Sequence, residues 1–343
     1  MKKSIKYEVN IDLANETKKD MAKALKTNND RVLNKIGAFS SLYDVKFKEY
    51  KNPVLVLKTE EPGSKQLIAA QNGKLENVSY DMINHLINDC IVMGARPLTV
   101  QDAIICGKMD KNDINKIVKA IAEACKKQDC VLTGGETSEQ PGVLKAGTYI
   151  LTSSIVGIVD KDKIIDGSKI EEGNVVISLE SSGIHTNGYT LVRKIMKKYP
   201  EILKKKINNK KFIDVILEPH RCYYKALKDL FDTGWITGLA HITGGGICEN
   251  LNRILPNDLS AQIDASKYQI LEIFKLLKKT ANIDEKEMLR TFNLGVGLTV
   301  VAKKEHAKEI IKHIKSKKIN AYVIGEITKG HKEVVVNGEF NWD

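Results

Sequence analysis

Two glycine-rich segments of the kind that cradle phosphate stand about a hundred residues apart, Thr133-Gly134-Gly135-Glu136-Thr137 and His241-Ile242-Thr243-Gly244-Gly245-Gly246. Glycines let successive backbone N–H groups converge on an anion because no Cβ blocks the approach, and concave nests of this kind bind phosphate. Two of them imply two phosphorylated ligands, or one ligand gripped at both ends. The first follows the apolar run Cys130-Val131-Leu132. A strand, turn and acid in that order put Glu136 at the mouth of a sheet, where α/β proteins bind ligands.

At 343 residues the chain exceeds the size at which a single core stops growing, so two domains are expected. The charged stretch from Asp160 to Asn174, with Gly167 and Gly173, is the expected junction and divides the chain into 1–165 and 166–343. No run approaches the roughly 18 apolar residues of a membrane span. The basic start Met1 to Lys6 is not followed by an apolar signal run, so a cytoplasmic protein with no membrane partner is expected. The six cysteines form no C-x-x-C pair and mostly sit in apolar runs, which reads as reduced packing residues. The net charge of +11 favours anionic partners. Its lysines are scattered or grouped in short runs such as Lys204-Lys205-Lys206 with few aromatics among them, a solvated surface and not a nucleic-acid groove.

The first fifty residues hold little periodicity. Pro53 to Leu57 reads as a strand, and the loop Thr59 to Lys65 mixes two carboxylates, a Pro-Gly turn and a lysine. Tyr80 to Met93 has helical spacing, with Asp81, Asn84, His85 and Asn88 on one polar stripe and Asp89 beside it. That stripe is either a solvated side or the wall of a pocket. Pro97 to Ile105 reads as a strand interrupted by Asp102, a position that faces water or a metal. Further helices are expected at Asp110 to Lys126, after the Ser181 to Gly188 loop, from Pro219, from Tyr268 and at Glu305 to Ile314. Further strands are expected at Tyr149 to Val159, Val175 to Leu179, Leu259 to Ile263, the stretch through Val301 and Ala321 to Ile324.

The motifs Gly134-Gly135-Glu136-Thr137-Ser138-Glu139-Gln140-Pro141-Gly142, Ile165-Asp166-Gly167-Ser168-Lys169, Ser181-Ser182-Gly183-Ile184-His185-Thr186-Asn187-Gly188-Tyr189, Ala240-His241-Ile242-Thr243-Gly244-Gly245-Gly246 and Phe292-Asn293-Leu294-Gly295-Val296-Gly297 run through both halves. With them the chain resembles the phosphoribosylformylglycinamidine cyclo-ligase (aminoimidazole ribonucleotide synthetase) family of purine biosynthesis. The resemblance implies two α/β halves, each a mixed sheet backed by helices, assembled as a homodimer. It implies a ligase that uses ATP and Mg2+ to activate the formamide oxygen of formylglycinamidine ribonucleotide, a small phosphorylated substrate, before an amidine nitrogen closes the ring. Carried onto this sequence, Lys65, Asp89, Glu136 and His185 are the expected catalytic set, and Asp89, Asp102 and Glu136 the expected Mg2+ ligands. Glu60, Gly63, Ser64, Lys65, Asn88, Gly134, Gly135 and Thr137 are expected around the ATP phosphates. Ser182, Gly183, His185, Asn187, Gly188, Thr243, Gly244, Gly245 and Gly246 are expected around the substrate phosphate.

Where that family reads Asp-Gly-Val-Gly-Thr-Lys, this chain reads Glu60-Glu61-Pro62-Gly63-Ser64-Lys65, and a glycine loop near Phe39 is thinned to Ile36-Gly37-Ala38-Phe39. Both departures fall in the first half. They leave open an impaired or regulatory relative, or a phosphotransferase of the same superfamily. His185 and His241 either shape their loops by hydrogen bonds or move protons.

Overall fold

A computed structural model describes residues 11–34 and 38–343. The basic start, Asn10 and the Ile36-Gly37 part of the thinned loop lie outside the described residues. The first half carries a four-stranded sheet made of β1 (Pro53–Glu60), β2 (Arg96–Cys106), β3 (Val131–Glu139) and β4 (Tyr149–Asp160), in the order β1-β4-β2-β3. Only β2 and β3 run parallel. Four helices accompany it: α1 (Ile11–Ala24), α2 (Lys65–Gln71), α3 (Leu75–Ile91) and α4 (Lys111–Lys127). Asp110 caps α4 by accepting from the Asp113 N–H at 3.0 Å, and Ile114, Ile117, Val118 and Ile121 bury its apolar face.

The second half holds a six-stranded sheet built from β5 (Val175–Glu180), β8 (Ile236–His241), β9 (Leu259–Asp264), β10 (Val296–Ala302), β11 (Ala321–Lys329) and β12 (Val334–Asn337). Their order is β12-β9-β11-β5-β10-β8, and only the β12/β9 pair is parallel. The short strands β6 (Lys206–Ile207) and β7 (Lys210–Lys211) make a separate hairpin. Helix α5 (Tyr189–Lys198) starts directly after the Ser181 to Gly188 loop, with Gly188 at φ +81° as its cap. The main apolar core is continuous from α3 through β10, so the two sheets share one interior.

Three expectations change. Residues Ile11–Ala24 are helical, and α1 packs along α4. The first glycine segment is no turn: β3 runs through it as one strand beside β2, with the register shifting between Val100 and Gln101 and Gly134 at φ +152°. A bulge of this type re-aims a strand without ending it. Pro219 starts no helix, and Glu218 to Tyr223 is irregular between the short helices Phe212–Ile216 and Tyr224–Leu227.

Candidate active site

At Asp81, Asn84 and Asn88 the polar stripe of α3 is neither solvated nor a pocket wall, because the irregular segment 217–223 of the other half lies along it. Asn77 donates to the Leu217 carbonyl at 2.8 Å and Asn84 to that of His220 at 2.6 Å. Asp81 accepts from the His220 N–H at 2.7 Å. Asn88 donates to the Arg221 carbonyl at 2.8 Å and accepts from the Tyr223 N–H at 2.9 Å. Helical spacing thus supplies side-chain partners to a buried backbone that has no strand beside it.

That arrangement corrects two expected phosphate ligands. Both amide groups of Asn88 are taken up by backbone. Lys65 has no exposed surface; its ammonium sits 2.8 Å from Asp81 and donates to the carbonyls of His185 at 3.1 Å and Glu218 at 2.7 Å. It therefore joins the two halves and does not face a phosphate. Burial pushes Asp81 up to about 6, against the opposing pull of Lys65. Gly63, at φ +64°, brings the preceding loop against the Thr186 carbonyl, where an added Cβ would stand 3.2 Å away.

Four imidazoles meet beside this contact, from α3 (His85), the Ser181 to Gly188 loop (His185), the irregular segment (His220) and the end of β8 (His241). His241 Nδ1 donates to Asp89 at 2.7 Å, and its Nε2 lies 2.9 Å from His220 Nε2. Thr186 Oγ1 lies 2.9 Å from His85 Nδ1 and 3.5 Å from His220 Nδ1. His185 Nε2 accepts from the Ser182 N–H at 3.1 Å, while its buried Nδ1 has no partner among the described residues. Burial holds His185 and His220 well below the usual imidazole range and His85 at about 4, so these three rings are neutral at pH 7. Burial would raise Asp89, but the hydrogen bond to His241 and the nearby Lys58 ammonium hold it well below the usual carboxylate range. Lys58 bridges Asp89 and Glu60, 3.0 Å from each.

The acids are arranged by strand register. Glu60, Ser153, Asp102 and Gly135 are successive cross-strand neighbours on β1, β4, β2 and β3. Asp102 leans over Gly135, where an added Cβ would lie 2.0 Å from its Oδ1. Burial pushes Asp102 up to about 7, and the adjacent Ser153 hydroxyl is buried without a partner among the described residues. Glu136 pairs with Ala103, and strand alternation puts it on the opposite face of the sheet. The expected Asp89, Asp102 and Glu136 trio therefore does not converge from one face.

Asp102, Gly134, Gly135, Glu136 and Thr137 border a cleft of about 1180 Å3. Its far wall is α1, with Lys18 and Lys19, and the loop 38–41, pinned where the Ser41 hydroxyl donates to the Thr133 carbonyl at 2.6 Å. The second glycine turn keeps its predicted form ahead of the short helix Gly246–Asn252. Its Gly245 and Gly246 amides, expected on substrate phosphate, instead donate to the carbonyls of Arg290 at 3.0 Å and Thr243 at 3.1 Å. Ser182 likewise uses its amide on His185 and its hydroxyl proton on the Pro219 carbonyl. The loop and the turn do meet, since an added Cβ on Gly244 would stand 3.2 Å from Asn187 Oδ1. Arg290 pairs with Glu249 at 3.5 Å on the surface.

With both halves and their junction defined, comparison with known proteins places the molecule. Residues 46–159 match the model of the N-terminal domain of AIR synthase related proteins, and residues 171–337 match that of the C-terminal domain. The chain belongs to the AIR synthase related family. Among its relatives, a protein of Carboxydothermus hydrogenoformans named phosphoribosylformylglycinamidine cyclo-ligase is 39% identical over 336 residues, 97% of each chain. A protein of the same name from Caldanaerobacter subterraneus is 41% identical over 338 residues, 96% of this chain and 98% of the other. The fold is shared more widely. Thiamine-monophosphate kinase from Stenotrophomonas maltophilia superposes with a TM-score of 0.72 at 16% identity, covering 95% of this chain and 97% of that one. The hydrogenase maturation protein HypE, solved in complex with ATP, gives 0.69 at 14% identity, covering 94% and 90%.

Several residues of this family member escape a linear reading. His220 acts through burial against the opposite half, and Lys58 lies inside an apolar strand. Lys18 and Lys19 belong to a helix whose apolar residues are sparse, though their place one turn before Met21 and Ala22 is an amphipathic signal.

Proposed function

We propose that this AIR synthase related protein catalyses the ATP-dependent cyclisation of formylglycinamidine ribonucleotide to aminoimidazole ribonucleotide, releasing ADP and phosphate. The observation that carries the reading is similarity at about 40% identity, through both halves at once, to proteins named for that reaction. In this reaction the formyl oxygen takes the γ-phosphoryl group of ATP, an amidine nitrogen attacks the adjacent carbon, and phosphate departs with the oxygen. Chemistry of this kind needs positioning and charge neutralisation more than a protein nucleophile.

The first half, residues 1–165, is assigned the nucleotide, and residues 166–343 the substrate phosphate. The cleft beside β3 suits a triphosphate, with Lys18 and Lys19 opposite Asp102 and the glycine strand. Asp102 and Ser153 fit Mg2+: a buried carboxyl and an unpartnered hydroxyl offer the hard oxygens that ion prefers. Bound there, Mg2+ would supply charge neutralisation to the phosphates. Gly183, His185, Asn187, Gly188, Thr243 and Gly244 are the remaining candidates to hold the ribose phosphate. Leu55, Leu57 and Ile150 expose apolar surface on one face of the first sheet, which supports a homodimer paired through that face. A cytoplasmic location accompanies this reading. Incubation with the ribonucleotide, ATP and Mg2+, followed by mass spectrometry, tests it: aminoimidazole ribonucleotide should form only when ATP is present, and its absence with folded protein overturns the assignment.

A further inference from the structure

We propose that His85, Asp89 and His241 form a binding site for a first-row transition-metal dication, separate from the Mg2+ assigned to Asp102. The ligating atoms of the three side chains lie within 4.8 Å of one another. His85 and Asp89 stand four residues apart on α3, a spacing that aims two side chains at one point, and His241 arrives from the end of β8. Ring geometry separates this trio from the other triplet of close imidazoles, His185, His220 and His241. A metal binds in the plane of an imidazole ring, and His185 and His220 are stacked with centroids 3.8 Å apart and planes 21° from parallel. Their lone pairs cannot meet on one ion. The planes of His85 and His241 cross at 83°, which allows them to converge.

The surroundings match those of a metal-binding histidine pair. Each ring has its far nitrogen occupied, His85 Nδ1 by Thr186 Oγ1 at 2.9 Å and His241 Nε2 by His220 Nε2 at 2.9 Å. Such contacts fix tautomer and orientation and leave the near nitrogens, His85 Nε2 and His241 Nδ1, facing Asp89. Glu60 stands 3.9 Å from His85 Nε2 as a further oxygen donor. The Lys58 ammonium, 3.0 Å from both Asp89 and Glu60, holds a positive charge between the two carboxylates. A dication entering from the exposed Lys58 side displaces that ammonium and the Asp89–His241 hydrogen bond. Two imidazoles with carboxylate favour zinc, cobalt, iron or manganese over Mg2+, which takes oxygen ligands.

Cobalt titration of the chelator-treated, nucleotide-free protein tests this. The expected result is a visible d–d absorption band that saturates at one Co2+ per chain, is bleached by Zn2+ and survives a hundredfold excess of Mg2+. His85→Gln and Asp89→Asn should each weaken Co2+ binding at least tenfold, and Thr186→Val, which frees the far nitrogen of His85, by roughly tenfold. Circular dichroism of each variant checks that the fold is kept. A wild type without the band, or a band with the same affinity in His85→Gln and Asp89→Asn, overturns the proposal. Because no nucleotide is present, this outcome is independent of whether the cyclisation reaction occurs.

Discussion

Lys65 and Asp81 form an ion pair from which water is excluded, so removing one charge strands the other in a low-dielectric interior. Lys65→Met should lower the unfolding free energy by about 3–5 kcal/mol, and adding Asp81→Asn should restore a large part of it. Urea unfolding of the two variants measures both; equal stability of wild type and Lys65→Met would contradict the pairing. Asp102 gives a pH signature with a definite sign. The unfolded carboxyl ionises near its ordinary value, whereas the folded one keeps its proton until about 7. The folded state thus holds an extra proton between about pH 4 and 7, and stability falls as pH rises through that window. In EDTA, Asp102→Asn should remove this decline, worth on the order of 4 kcal/mol across the window. Urea midpoints for the two proteins at pH 5 and pH 8 measure it, and an unchanged slope in the variant would assign the effect elsewhere. Asp102 was legible because an acid in an apolar strand is conspicuous. His220 was not, since a histidine in an irregular segment has no period to mark its buried side.

Helix α3 is the element on which the junction depends, and its polar residues work as a row. Asn88→Ala leaves the Arg221 carbonyl and the Tyr223 N–H buried without partners, an expected cost of about 1–3 kcal/mol for each group. Hydrogen exchange should show faster opening of the Tyr223 amide with little change in the first sheet. Protection at Tyr223 equal to wild type would remove the helix from this role. Helix α4 could be placed from sequence to within one residue at each end, whereas α3 begins at Leu75, ahead of the expected Tyr80. The fate of the α3 stripe could not, because polar spacing looks the same whether water or another half of the molecule lies opposite. Strand β3 was misread for a related reason: paired glycines fit a turn as well as a bulge, and only its pairing with β2 distinguishes them. Helix α1 was missed because its apolar residues are few among many lysines and acids.

At the scale of the molecule, the apolar face around Leu55 and Leu57 is the part of the first sheet that no helix among the described residues covers. Leu57 is 70% exposed. Leu57→Asp should convert a dimer into a monomer by light scattering, with the far-ultraviolet circular dichroism unchanged; a wild type that is monomeric at the same concentration would dismiss the interface. Two halves were expected from the length of the chain and the charged stretch after Asp160, and their sheets from the family resemblance, while the junction arises only when α3 meets the 217–223 segment. The most direct test of the whole account follows the oxygen that cyclisation must remove. With formylglycinamidine ribonucleotide carrying 18O in its formyl group, the account predicts one labelled inorganic phosphate for each aminoimidazole ribonucleotide and ADP formed. Unlabelled phosphate, or label released as water, would contradict it.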